Sequence, residues 1–146
     1  MRAILGGLFL LTYAIFSMPA SADPLLLKPP TPAGLVLPIA LSIPQHVVPP
    51  RYLYEHGPFV ACIVYDIGTD GHVSNINLLV SSGDPLIDKG ATTQSEGMIY
   101  QPATLNGVPV AVRSLSVRYF VFGDSPKPPA PCSWDTYRAT DAKPDK

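Results

Sequence analysis

Apolar residues at alternate positions mark the first clear element of the chain. Ala61, Ile63, Tyr65 and Ile67 share one side of an extended segment, the period of a strand with one buried face. Gly68-Thr69-Asp70-Gly71 follows, with the glycines and aspartate that a tight hairpin turn requires. Val73 to Ser82, carrying Ile76, Leu78, Leu79 and Val80, reads as the returning strand, and Ser82-Gly83-Asp84-Pro85 stops it. From Pro85 to Met98 the signals become those of a helix. Asp84 stands at the N-cap, Pro85 at the first helical position and Asp88 in the first turn, where the helix dipole favours a carboxylate. The body of this helix is weak: Gly90, Thr92, Thr93, Ser95 and Gly97 lower its intrinsic stability, a glycine by up to about 1 kcal/mol relative to alanine. Burial of Leu86, Ile87, Ala91 and Met98 has to compensate. Asn106-Gly107 supplies a turn, and Val110 to Phe122 reads as a long last strand. Alternation assigns Leu115, Val117, Tyr119 and Val121 to its core side, and Ser114, Ser116, Arg118 and Phe120 to the other. The expected order is β-β-α-β, an α+β fold with a small three-stranded antiparallel sheet and a helix on one face.

Composition changes the picture mainly at the two ends. Of 18 prolines, most cluster between Asp23 and Pro50 or between Pro126 and Pro131, too densely for a helix or a central strand. The chain therefore divides into residues 1–22, a lead-in over 23–47, a domain over 48–122 and a tail over 123–146. The lead-in is extended and more apolar than an ordinary linker, with Leu25 to Leu27 and Leu35 to Leu41. It either lies on the domain or a partner, or swings free. At 146 residues with 47% hydrophobic content there is material for one core. A formal net charge of -1 provides no electropositive field to draw in nucleic acid or an anionic membrane.

The first residues read as an export signal. Met1-Arg2 is followed by an apolar run from Ala3 to Phe16, then Pro19 and the small-residue site Ala20-Ser21-Ala22. A spanning helix needs roughly 20 apolar residues, longer than this run, so cleavage after Ala22 is expected, with an uncleaved anchor as the alternative. Loss of Arg2 would move the formal charge from -1 to -2. Export implies an oxidising compartment, in which Cys62 and Cys132 are either one disulfide or two free thiols. Cys62 alternates away from Ile63 and so away from the helix side. A tail crossing the open face of the sheet then brings Cys132 to it, and a Cys62–Cys132 bond is predicted.

Three strings stand in order: Ile67-Gly68-Thr69-Asp70-Gly71-His72-Val73, Ser81-Ser82-Gly83-Asp84-Pro85-Leu86-Ile87-Asp88, and Tyr100-Gln101-Pro102-Ala103-Thr104-Leu105-Asn106-Gly107-Val108-Pro109-Val110. Together, over roughly Val48 to Phe122, they resemble the signature of the TonB carboxy-terminal domain family. Each string also has a structural reading as hairpin, strand-to-helix junction, helix exit and turn, so the resemblance speaks first to fold. It implies a periplasmic protein of the cell envelope whose last strand captures a short segment of an outer-membrane transporter by strand addition. The residues this would use are Arg113, Leu115, Val117, Arg118, Tyr119 and Val121. Energy-transducing members of the family keep an amino-terminal helix with a polar or ionisable residue for a proton-driven motor. Ala3 to Phe16 has no charge and no histidine. An adaptor without a motor is thus the first reading. A transducer that retains its amino-terminal segment, or a structural module pairing with itself through the last strand, are the alternatives.

Catalytic signatures are missing from the sequence. His46, His56 and His72 have no HExxH or CxxC companion, Cys132 has no evident base, and Asp66 with Asp70 is hairpin chemistry. Neither a metal nor a cofactor is expected, and no phosphate loop or basic aromatic surface suggests a nucleotide or nucleic acid.

Overall fold

The computed structural model describes residues 23–45, 48–135 and 137. The expected export signal over 1–22, His46 and the end of the tail from 138 onward lie outside the described residues. In chain order the elements are β1 (Leu25–Leu26), β2 (Leu35–Val36), β3 (Ile39–Ser42), α1 (Pro50–His56), β4 (Phe59–Ile67), β5 (Val73–Val80), α2 (Pro85–Glu96), β6 (Ile99–Gln101), β7 (Ala103–Leu105), β8 (Val108–Val110) and β9 (Val112–Phe120). The fold is mixed α+β. Its main sheet has the order β1-β9-β4-β5. The three long strands are antiparallel as expected, and β1 adds a short parallel neighbour to β9.

Local chemistry explains the hairpin. Gly68 N–H donates to the His72 carbonyl at 2.9 Å and Gly71 N–H to the Gly68 carbonyl at 3.0 Å. Gly71 has φ +81°, and a Cβ there would overlap the Tyr100 carbonyl oxygen. The turn therefore requires glycine twice over, for its left-handed backbone and for the close approach of β6. At the start of α2, the Asp84 carboxylate accepts from the N–H groups of Leu86 (2.9 Å) and Ile87 (3.2 Å). Asp88 reaches back to the Ser82 N–H at 2.8 Å and to both serine hydroxyls. These bonds satisfy donors that a helix start leaves orphaned.

The lead-in docks on the domain. β2 pairs with β7 and β3 with β6, both antiparallel, and Val48, the residue where the lead-in gives way to the domain, is buried in the core. Its passage over α2 explains the weak helix body. Val48 packs where a Gly90 Cβ would stand, and a Cβ on Gly97 would lie 2.6 Å from the Pro44 ring. Gln94 Nε2 also donates to the Pro44 carbonyl at 2.9 Å. Gly90 within α2 and Gly97 at its C-cap leave the room that Val48 and Pro44 occupy.

Sequence patterning did not reveal α1. It starts on Pro50 and ends where Gly57 N–H bonds the Leu53 carbonyl at 2.9 Å, and an Arg51–Glu55 pair spans one turn. Only Leu53 is buried, so the helix shows no apolar period. The last strand is also shorter than Val110–Phe122. The Asn106-Gly107 turn, with φ +52° and +83°, closes a separate β7–β8 hairpin before β9 begins at Val112.

The faces of β9 are the reverse of those expected. Phe120 and Val112 are buried in the core with Ala61, Ile63, Tyr65, Ile67, Ile87 and Ala91. Ser114 lies opposite Tyr65, Ser116 opposite Ile63 and Arg118 opposite Ala61 on that same helix side. Leu115, Val117 and Tyr119 are paired with Val64, Cys62 and Val60 on the other face. The physical reason is volume. The bulky β4 side chains fill the space under α2, so their neighbours on β9 are small serines. The apolar β9 residues face a second covered surface, the one under the tail.

Candidate functional site: the outer edge of the last strand

β9 has β4 on one side along its whole length, in a register without a shift from Phe59↔Phe120 to Ile67↔Val112. On its other side β1 covers only Val112 and Arg113. Leu25 N–H donates to the Ala111 carbonyl and Leu27 N–H to the Arg113 carbonyl, each at 2.9 Å. Pro29 and Pro30 follow and have no N–H to continue the ladder. Backbone groups alternate in direction along a strand, and Arg113 points outward to β1. The N–H and C=O groups of Leu115, Val117 and Tyr119 therefore point outward too, with no strand against them among the described residues. This is a free edge of about five residues, or roughly 16 Å at the rise of a strand.

The side chains around that edge are held in place from both faces. On the tail face a Cys62–Cys132 disulfide joins β4 to the tail across 70 residues of sequence. Cys132 Sγ lies 3.7 Å from the Ser116 carbonyl oxygen, and the Lys127 ammonium stands 5.6 Å from the centre of the Tyr119 ring. Further along, Arg113 donates to Asp66 through Nε at 2.6 Å and Nη2 at 3.0 Å, and through Nη1 to the Tyr137 hydroxyl at 2.7 Å. Asn75 Nδ2 adds a bond to Asp66 at 2.8 Å. Burial pushes the Asp66 carboxyl up, but the Arg113 guanidinium and the Asn75 amide outweigh it and hold it below the ordinary carboxylate range. The same pair raises Arg113 further above its already high value.

On the helix face Arg118 reaches Met98 Sδ at 2.7 Å and Ser95 Oγ at 3.4 Å, with its Nε buried and unpartnered. It points to the carboxy-terminal end of α2, where the helix dipole favours a cation. Tyr65 and Tyr100 share a buried hydrogen bond of 2.8 Å, and burial, then this bond, raises the Tyr100 phenol.

The structure thus separates the six residues singled out in the sequence. Leu115, Val117 and Tyr119 line the free edge. Both guanidiniums, Arg113 and Arg118, are engaged inside the chain. Val121 lies just beyond the end of β9. Sequence reasoning missed β1, whose two residues shorten the free edge; Leu25–Leu27 ahead of a double proline was the available signal.

A cleft of about 810 Å³ lies beside β1, bounded by Asp23, Asp66, Asp70, His72, Asn75 and Val110. The His72 N–H bonds Asp70 at 3.0 Å and lowers its carboxyl. Among the described residues no three His, Cys, Asp or Glu side chains are grouped to hold a metal ion. No described helix is long and apolar enough to cross a membrane.

A three-stranded antiparallel sheet, a capped helix on one face and a last strand with an open edge describe a known architecture. The fold is similar to that of a TonB carboxy-terminal domain. The solution NMR structure of the Pseudomonas aeruginosa TonB CTD superposes with a TM-score of 0.50, covering 72% of this chain and 100% of that one, at 13% identity. No family model matches the chain, and no curated protein matches it. The TonB-like likeness therefore rests on backbone geometry. The matched 72% is more of the chain than residues 48–122 alone, so the likeness extends past that domain; the lead-in contributes β1 to β3 and the tail the disulfide clasp.

Proposed function

We propose that this chain is a non-catalytic periplasmic adaptor that captures an extended segment of an envelope protein, an outer-membrane transporter in the first instance, by strand addition to β9. The observation that carries the reading is the free outer edge at Leu115, Val117 and Tyr119. Main-chain pairing there supplies affinity, and pockets beside alternate side chains supply selectivity. The TonB-like fold supports the reading, and so does the intrachain disulfide, which suits an oxidising compartment. Because Arg113 and Arg118 are occupied, recognition depends on the backbone edge and on Lys127, whose ammonium stands over the Tyr119 ring.

The test is photocrosslinking in the native envelope from a probe at Tyr119. A single envelope protein is expected as the adduct. Val117→Pro removes an outward N–H but none of the bonds to β4, so it should abolish the adduct while leaving circular dichroism unchanged. An adduct that survives Val117→Pro in folded protein, or none in the wild type, sinks the proposal.

A further inference from the structure

A second free edge lies on the opposite end of the chain's organisation, in the lead-in. β3 pairs with β6 on one side and with nothing on the other among the described residues. All four of its residues are exposed. Leu37, Ile39, Leu41 and Ile43, at every second position, are 54%, 56%, 66% and 56% exposed, and Val36 and Ile99 beside them are 58% and 41% exposed. No Lys, Arg, Asp or Glu occurs from Pro29 to Gln45. Natural sheets blunt such edges with charge, bulges or proline. Here Pro38 and Pro44 bound the strand and a bulge falls between Ala40 and Ser42, but the stretch between the prolines has no charge.

We propose that β3 is a self-association edge: two copies of this chain pair their β3 strands antiparallel about a two-fold axis near Leu41. Three observations select a second copy. First, the unpaired N–H and C=O groups need hydrogen-bonding partners, which another strand supplies and a lipid tail does not. The segment also lacks the Trp, Tyr, Lys and Arg that anchor a surface to a membrane interface. Second, a two-fold contact places a patch against itself, which like charges oppose; an uncharged segment bears that juxtaposition without repulsion. Third, the exposed side chains amount to on the order of 500 Å² of apolar surface per copy, as large as the largest patches on monomers. Pairing along the strand buries only part of that surface, less than the roughly 800 Å² per partner of a standard interface, so a concentration-dependent dimer is expected. The two prolines limit pairing to Ile39–Ile43 and set its register.

The test uses the chain expressed from residue 1 and purified as the cell leaves it. Sedimentation equilibrium should show the mass rising with concentration toward twice that of the monomer. Leu41→Asp should remain monomeric and melt as the wild type does at its lowest, monomeric concentration, because the Leu41 side chain is largely outside the fold. Should Leu41→Asp fail to fold, Leu41→Cys provides an independent readout, since an axis near residue 41 predicts an oxidised dimer through that position. Val117→Pro should leave the dimer intact, which separates this interface from the edge of β9. A wild type that stays monomeric at every concentration overturns the proposal. So does a dimer that survives Leu41→Asp, or a monomer that instead sediments with phosphatidylethanolamine–phosphatidylglycerol vesicles.

Discussion

Replacing Asp66 with asparagine keeps the shape of the side chain and removes its charge from a junction that ties together β4, β9, β5 and the tail. Asp66 is 5% exposed and bonds Arg113 at two positions and Asn75 at one, and Arg113 in turn holds Tyr137. Breaking a fully buried ion pair costs about 3–5 kcal/mol. The Arg113 side chain keeps 29% exposure and can recover some hydration. The neutral amide also retains an acceptor, so the loss for Asp66→Asn is discounted to about 2 kcal/mol. With a urea slope of roughly 1–3 kcal/mol per molar, the denaturation midpoint should fall by about 1 M at pH 7.

The pH dependence gives the sharper test. The folded Asp66 carboxyl is held below its unfolded value, so its contribution is complete above the unfolded pKa and disappears as pH falls through the folded one. The gap between wild type and Asp66→Asn should therefore be full at pH 6–7 and close as acid protonates the wild-type group. Urea titrations at low salt from pH 2.5 to pH 7, without reductant, read both quantities. A gap below about 0.5 kcal/mol at neutral pH, or one that does not shrink in acid, would refute the assignment of Asp66 as the anchor of Arg113.

Two further outcomes test the clasp and the hairpin. Cys62→Ala with Cys132→Ala opens a link across 70 residues. The chain-entropy relation then predicts a loss of about 4 kcal/mol in urea denaturation, and an unchanged midpoint would mean the tail does not constrain the unfolded chain. Gly71→Ala meets both a positive φ and the Tyr100 carbonyl, whereas Gly107→Ala meets only a positive φ in open space. Gly107→Ala should cost about 1 kcal/mol and Gly71→Ala distinctly more by thermal denaturation; equal costs would remove the close approach of β6 from the account.

Much of the domain is written in short-range chemistry. Asp84-Pro85 and Asp88 announce the start of α2, Gly68 to Gly71 the hairpin, and Asn106-Gly107 the second turn. Each works through hydrogen bonds or backbone angles within a few residues, which no distant packing has to supply. The ordered strings carrying those signals also resemble the TonB carboxy-terminal family, and the backbone has that fold. Alternation in β4 was sufficient to put Cys62 on the face away from the helix and so to pair it with Cys132.

Other features depended on residues far apart in sequence. α1 has one buried side chain and no period, so its helix shows only once Tyr52 is seen donating to Asp84 at 2.5 Å across 32 positions. Docking of the lead-in depends on Gly90 and Gly97 opening space for Val48 and Pro44, a fit between segments that neither reveals alone. Alternation showed that β9 has two unlike faces. Which of them meets the helix depended on the volume already filled by Ile63 and Tyr65, and on a tail that makes the second face equally able to bury apolar groups. The sequence by itself determined the turns, the caps, the long strands and the cysteine pair, because those are local or binary choices. Only the tertiary structure decided which edge of β9 stays open and for how many residues, because β1, arriving from nearly 90 positions earlier, covers part of it.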